Sequence, residues 1–156
     1  MGREHRYEAS VVWTGAEKGP TLSYQSYSRD YRVDIPGRPA LHGSADPHFR
    51  GDPARHNPED LLVAALSACH MLTYLALAAR AGLAVTAYED AARGTMALEG
   101  EGGHFTEVVL NPRVTVARGS DLALARRLHG EAHGLCFIAR SVNFSVRHEA
   151  TIVEEG

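Results

Sequence analysis

Two cysteines, Cys69 and Cys136, are the side chains with the clearest chemical potential in this 156-residue sequence. Cys69 lies in the apolar string LLVAALSACHMLTYL, and Cys136 follows a second segment with helical periodicity. A lone cysteine in an apolar helix is commonly a small buried hydrophobe, so neither residue indicates chemistry by itself. If the two helices pack together, however, they could bring both thiols close enough to form a disulfide.

Nine histidines raise the alternative of a metal site. His129 and His133 have helical i, i+4 spacing, so both rings could bind one ion from a single helical face. The sequence has no HExxH or CxxC motif, and it has no GxSxG, P-loop or dinucleotide-binding pattern. It therefore favours no catalytic metal and implies no cofactor. His70 follows Cys69, but adjacent residues of a helix point about 100° apart, so we expect no direct contact between them.

The segment that carries Cys69 has the features of a long helix. Asn57 is a good N-cap, Pro58 suits the first helical position, and two acidic residues follow in the first turn. Leu, Ala and Met dominate as far as Ala81 and Gly82 is the expected stop, which predicts about 24 residues or roughly 36 Å. Because this helix is apolar nearly all round, it must be covered on every side, at the centre of the molecule or in a subunit interface.

Strand patterns dominate the chain before this helix. The segments RYEASVVWT (6–14), TLSYQSYS (21–28) and YRVDI (31–35) are rich in aromatic and β-branched residues, which predicts antiparallel strands. Residues 36–58 are rich in Pro, Gly and His and have no period, so we expect a long loop there.

The second half of the sequence predicts a hairpin, a helix and a final strand. Residues 84–98 and 104–117 are the two arms of the hairpin around a glycine-rich turn. Ser120 and Asp121 cap the second helix, which is expected to end at Gly134, and 142–153 is the last strand. The whole order predicts a single α+β domain over residues 1–156, with two helices on one face of an antiparallel sheet.

Composition and charge exclude several classes of protein. Apolar residues make up 44% and charged residues 22% of the chain, which is typical of a folded soluble domain. A net charge of -3 with interspersed signs gives no surface for nucleic acid or an anionic membrane. The charged start MGREHRYEAS does not have the apolar core of a signal peptide, and polar residues interrupt the apolar run 61–79. We therefore expect a cytoplasmic protein with no membrane span.

The string around Cys69 also resembles a known family. The resemblance is carried by NPEDLL at 57–62, then by Ala65 and by Ser67-Ala68-Cys69, with the cysteine ten residues after the glutamate. This pattern is similar to that of the OsmC/Ohr family of hydroperoxide reductases, and Cys136 matches the second cysteine of that family. Phe137 stands where the family often has a proline.

The resemblance implies an OsmC-like fold and a thiol peroxidase. Cys69 would attack a hydroperoxide as the thiolate and become a sulfenic acid, which Cys136 would convert into a disulfide. The family often uses lipoyl-type dithiols as reductants, so such a partner is implied here. The apolar helix beside the site favours bulky organic hydroperoxides over hydrogen peroxide.

The resemblance further implies a charged pair at the thiolate. A cysteine buried in an apolar helix has a raised pKa, so a cation must oppose that effect. The family supplies an arginine held by a glutamate, and Glu59 matches the glutamate. Arg50 is favoured as the arginine, and Arg29 and Arg55 are the alternatives.

Helix geometry predicts that such a site is shared between two chains. Glu59 and Cys69 are ten residues apart, which is about 15 Å along a straight helix at 1.5 Å per residue. An antiparallel pair of central helices would bring Glu59 of one protomer toward Cys69 of its partner. The intertwined dimer of the family looks like this arrangement, so we expect an obligate homodimer with two shared sites.

Two other functions stay open on the sequence. A protein of the same fold could bind a lipid-like ligand in an apolar pocket without catalysis, and a third reading is a metal-binding protein that uses its histidines. The presence of Cys69, Cys136 and Glu59 together favours the peroxidase.

Overall fold

The computed structural model describes residues 2–156, and their backbone forms two compact units. The first unit ends at Leu61 and the second begins at Leu62. The boundary falls inside helix α1 (Pro58–Arg80). The single domain expected from the sequence stays a prediction.

The first unit contains a three-stranded antiparallel sheet with the strand order β1-β2-β3. Its strands are β1 (Ser10–Val12), β2 (Tyr31–Asp34) and β3 (Leu41–Gly43). β2 confirms the strand predicted in YRVDI. The strand predicted over 6–14 is reduced to β1, because the chain enters a 3₁₀ turn at Thr14–Lys18.

Two predictions in this unit are wrong. The segment 21–28 forms bends and turns, because local bonds replace strand pairing: the Ser23 N–H donates to Ser26 Oγ at 3.0 Å. The segment 36–58 is not one loop, since it contains β3 and a 3₁₀ turn at Pro47–Phe49. Elements of three residues are too short to produce a period in the sequence.

Helix α1 confirms the long helix and the signals that bound it. Asn57 Oδ1 accepts the N–H of Asp60 at 2.9 Å, which satisfies one of the free donors of the first turn. After the helix, Gly82 has φ 71°, a left-handed conformation that favours glycine and ends the helix.

The second unit contains most of α1, a second helix and six strands in two mixed three-stranded sheets, ordered β4-β7-β9 and β5-β6-β8. Helix α2 (Leu122–Leu135) confirms the second predicted helix, and its N-cap Asp121 accepts the N–H of Leu124 at 3.0 Å. The strands are β4 (Val85–Asp90), β5 (Arg93–Glu99), β6 (Gly102–Leu110), β7 (Pro112–Val116), β8 (Ser145–His148) and β9 (Thr151–Glu154).

The predicted hairpin and the predicted last strand are each divided between these two sheets. Asp90 accepts the N–H of Asn111 at 2.6 Å, and Asn111 donates its amide to Ala91 O at 3.0 Å. Because of these bonds, and because Pro112 has no N–H to donate, strand pairing stops at the same point in both arms. One arm is thereby divided into β4 and β5, and the other into β6 and β7. β8 and β9 run parallel to β6 and β7, because the chain returns through the α2 crossover. The α+β class is confirmed, but these two sheets are mixed.

Helix α1 buries one residue per turn on a single stripe: Leu66, His70, Tyr74 and Ala78. Tyr74 and Ala78 pack into a core with side chains of β7 and α2, and Leu66 packs with Val108 and Leu110 of β6. Full burial of each such aliphatic side chain contributes about 1.5–3 kcal/mol. The stripe thus anchors α1 in two cores of the second unit.

The opposite face of α1 is open in one chain. Leu72 is 63% exposed, and the exposed small residues beside it on the helix are Ala64, Ala65, Ala68 and Ala76. The apolar composition of α1 predicts coverage on every side, but this face of the helix stays exposed in a single chain. Helix α1 is also long enough and apolar enough to span a membrane, but core helices of globular proteins can have the same length and composition.

Candidate active site

Cys69 and Cys136 are brought together in the second unit. Cys69 lies half-buried on α1, and Cys136 is buried at the residue where α2 ends and the backbone turns to φ -65°, ψ 115°. Both cysteines are free, and the Cys69 thiol is within hydrogen-bonding reach of the Cys136 thiol. This contact supports the juxtaposition that the packing of two helices suggested.

The two thiols have different surroundings. Burial raises the pKa of the Cys136 thiol, and the neighbouring Cys69 thiol raises it further. The backbone N–H groups of Ala139 and Ile138 act on it in the opposite direction, because they donate to its sulfur. Cys136 is therefore held as a neutral thiol, whereas Cys69 is the more accessible of the two sulfurs.

A groove of about 670 Å³ opens over Cys69. Its walls come from α1 and from the chain after α2, and most of them are apolar, including Leu72, Leu77 and Phe137. The guanidinium groups of Arg80 and Arg140 also line it. The groove gives an apolar molecule access to the Cys69 sulfur.

Glu59 lines a separate cavity of about 260 Å³ in the first unit. Arg29 and Tyr31 line the same cavity, with Ser44 and Phe49. Burial raises the pKa of Tyr31, and the Glu59 carboxylate raises it further, so the acid and the phenol are neighbours. The structure thus places Arg29 and Glu59 at one cavity.

The three candidate arginines have distinct positions. Arg29 donates to the carbonyl groups of Tyr24 and Tyr27, and its guanidinium lies 3.7 Å from the ring centre of Tyr27. Arg55 forms ion pairs with Asp30 at 3.8 Å and Asp52 at 3.6 Å.

Arg50, which the sequence favours, is exposed in a left-handed conformation with φ 66° and is not among the residues that line the Glu59 cavity. Which arginine acts on the thiolate stays a prediction, and the structure favours Arg29 over Arg50.

Four histidines that sequence reasoning did not group are clustered where α1, α2 and β8 meet. His70 Nε2 lies 3.0 Å from His129 Nδ1, and both rings are buried. His148 of β8 stacks on His70 with ring centres 5.6 Å apart, and His133 lies 6.0 Å from His148. The i, i+4 spacing of His129 and His133 was a visible signal, but the contribution of β8 depends on the sheet topology.

Burial favours the neutral form of His70 and His129. It lowers the pKa of His70 to about 4 and that of His129 to about 3, and the neighbouring imidazoles add to both effects. Within residues 2–156, no group of three or more His, Cys, Asp or Glu side chains is arranged to hold a metal ion. The geometry therefore gives no support to the metal-binding alternative.

Fold and site together define a small α+β dithiol protein. The family model for OsmC-like proteins matches residues 51–151, a range that includes both cysteines and Glu59. The chain belongs to the OsmC-like family. No functionally curated protein matches it significantly.

Solved structures agree with this assignment. An OsmC-like protein from Vibrio cholerae O1 biovar eltor is 34% identical, with a TM-score of 0.85 over 95% of this chain and 100% of that one. An organic hydroperoxide resistance protein OsmC from Legionella pneumophila is 16% identical, with a TM-score of 0.71 over 97% and 99%. An organic hydroperoxide resistance protein from Elizabethkingia anophelis is 19% identical, with a TM-score of 0.70 over 99% and 100%. The last two likenesses concern the fold alone.

Proposed function

We propose that this protein is a thiol peroxidase that reduces organic hydroperoxides through a Cys69/Cys136 dithiol cycle. The observation that carries the proposal is the contact between two free thiols at an apolar groove, with one sulfur accessible and the other buried. A purely structural cysteine pair has no need of a groove that leads to one of its sulfurs.

The reaction balances with these two thiols and an external dithiol. The Cys69 thiolate attacks one oxygen of ROOH, so that an S–O bond forms, the O–O bond breaks, and RO⁻ takes a proton to leave as ROH. The Cys136 sulfur then attacks the sulfenic acid, an S–S bond forms, and the hydroxyl leaves with a proton as water. A dithiol reductant, of which a lipoyl-type molecule is the proposed example, returns both cysteines to thiols by two exchange steps.

The groove supports organic over inorganic hydroperoxides. Its apolar lining can bury the hydrocarbon part of a substrate at about 25 cal/mol per Å², a gain that hydrogen peroxide cannot obtain. Two proteins of the same fold are named organic hydroperoxide resistance proteins, which agrees with this preference. A role in the response to oxidative stress and a location in the cytoplasm are parts of the same proposal.

We further propose a homodimer whose sites combine both chains. None of the buried hydrophobic residues lies in the described part of the first unit, residues 2–61. A unit without an apolar core is stabilised when another protein surface packs against it. The exposed apolar face of α1 would likewise be stabilised by burial against a second surface. A second copy of the chain supplies both.

Cysteine variants test the cycle. Cys69→Ser is expected to abolish reduction of cumene hydroperoxide, since the nucleophile is gone, and Cys136→Ser is expected to allow one oxidation per chain and then stop. Mass spectrometry after one equivalent of peroxide should find a disulfide in the parent protein and oxidised Cys69 in Cys136→Ser. Equal turnover by both variants with a dithiol reductant would contradict the assigned roles. A protein that binds lipid-like ligands without consuming thiols would instead support the binding function.

A further inference from the structure

Two polar contacts join α1 to α2 one helical turn apart. Tyr74 donates its hydroxyl to Ala125 O at 2.9 Å, and His70 pairs with His129 at 3.0 Å. From His70 to Tyr74 the contact moves four residues forward along α1, whereas from His129 to Ala125 it moves four residues back along α2. The two helices therefore run antiparallel here. Cys69 precedes His70 directly, and Cys136 lies about two turns beyond His129. The histidine contact thus lies next to Cys69 in the sequence of α1 and about two turns before the end of α2, which Cys136 follows.

The histidine pair depends on one position of the helices. Both rings are 1% exposed, so neither can replace the bond with water if the helices slide. Nε2 of His129 has no hydrogen-bond partner among residues 2–156, so the contact of Nδ1 with His70 is the side-chain hydrogen bond that this ring makes there. Buried polar pairs of this kind specify register, because a shifted arrangement leaves both groups unpaired.

We propose that the His70–His129 hydrogen bond is a positioning element for the dithiol, which fixes the register of α1 on α2 and so holds Cys69 within reach of Cys136. The inference rests on the proposed function, because a fixed distance between the thiols matters only if they form a disulfide. Neither histidine touches substrate in this role.

The bond requires one ring to donate an N–H and the other to accept through an unprotonated nitrogen. Groups from four elements lie around the pair, and they are Tyr74 on α1, His133 on α2, Tyr88 and Asp90 on β4, and His148 on β8. Burial keeps both histidine pKa values low, near 4 for His70, and the Asp90 carboxylate is the group that opposes this shift. One protonated ring can still donate to the other, neutral ring, so the bond is lost only when both rings are protonated.

The test measures how strongly the protein favours its own disulfide. In a glutathione redox buffer, the Cys69 thiolate attacks oxidised glutathione and releases one glutathione, and Cys136 then displaces the second, so the equilibrium gives the effective concentration of the two thiols. His70→Leu and His129→Leu should each lower it at least tenfold, which is about 30 mV. The double variant should lose about as much as either single variant, because all three lack the same hydrogen bond. His104→Leu, at an exposed position of β6, is the matched control and should change nothing.

A merely stabilising contact would give a different pattern. It would lower the melting temperature of the single variants and leave the effective concentration within twofold of the parent protein, which would overturn the inference. Where a leucine variant does not fold by circular dichroism, the corresponding glutamine variant is expected to show the same tenfold loss, because its amide does not reproduce the ring geometry.

The pH profile and the oxidant separate this inference from the peroxidase proposal. The ratio of effective concentrations between the parent and the double variant should be constant from about pH 7 to 5, because both rings are neutral in this range. A ratio that falls between pH 7 and pH 5 would overturn the inference. Because the oxidant is glutathione disulfide, peroxidase activity is not needed for this result. A parent protein that forms no Cys69–Cys136 disulfide would contradict both proposals.

Discussion

Arg29 is the arginine whose loss should change the reactivity of Cys69. It lines the same cavity as Glu59, whereas Arg50 is exposed on a turn and does not line that cavity. In the proposed dimer this pair lies at the thiolate, so Arg29→Ala should remove a positive charge that favours the thiolate and slow the alkylation of Cys69 by iodoacetamide at pH 7 about tenfold.

Arg50→Ala is the matched control for this experiment, and it should leave alkylation within twofold of the parent rate. If Arg50→Ala slows alkylation and Arg29→Ala does not, the cation is Arg50, and the thiolate mechanism still stands. Melting temperatures of both variants check that neither effect comes from unfolding.

The sequence pointed to Glu59 through its resemblance to the OsmC/Ohr family but could not choose the arginine, and both roles stay predictions. Glu59 is fixed by its place in the first turn of α1, next to the strong N-cap and Pro58. The arginines lie in segments without helical or strand periodicity, so their spacing in the sequence does not predict where their side chains point. Their positions are set by local contacts, such as the carbonyl groups that hold Arg29 and the carboxylates that hold Arg55.

The two helices were predictable because each carries its own boundary signals. Asn57 and Asp121 cap them through side-chain bonds that the sequence pattern anticipates. The strands were not, because the division of the hairpin depends on Asp90 and Asn111 meeting across the sheet, 21 residues apart in sequence. A local pattern contains no information about such a contact.

The packing of α1 on α2 predicts an acid-sensitive fold. The pKa values of His70 and His129 are about 4 and 3 in the folded protein and return to about 6.5 on unfolding, so the unfolded chain binds more protons between these values. The free energy of unfolding should therefore be constant above about pH 6.5 and fall as the pH is lowered toward 4, by up to about 1.4 kcal/mol per pH unit for each ring.

Urea titrations at several pH values would measure this slope. The double variant His70→Leu/His129→Leu should lose most of it, and His104→Leu should keep it, because His104 is exposed. A parent protein whose unfolding free energy is the same at pH 7 and pH 5 would show that the two rings are not buried neutral groups.

The whole chain presents more apolar surface than one copy can cover. Leu72 on α1 and Phe137 after α2 are 63% and 80% exposed, and both line the groove over Cys69. In the first unit Val11, Trp13 and Tyr24 are also exposed. Exposed apolar groups on both units, one of them without a buried apolar side chain, are the surfaces that the proposed homodimer would cover.

Subunit exchange tests whether each active site is shared. Glu59 and Cys69 lie ten residues apart on the continuous helix α1, about 15 Å along its axis, so one chain does not bring them together. Cys69→Ser and Glu59→Ala homodimers should each have little peroxidase activity, whereas mixed dimers should regain one working site in two. Differentially tagged subunits, exchanged under mild denaturant and purified by both tags, should thus recover up to about half of the parent activity per dimer, given the two-fold symmetry. A chain that sediments as a monomer at micromolar concentration, or verified mixed dimers without activity, would contradict the shared site.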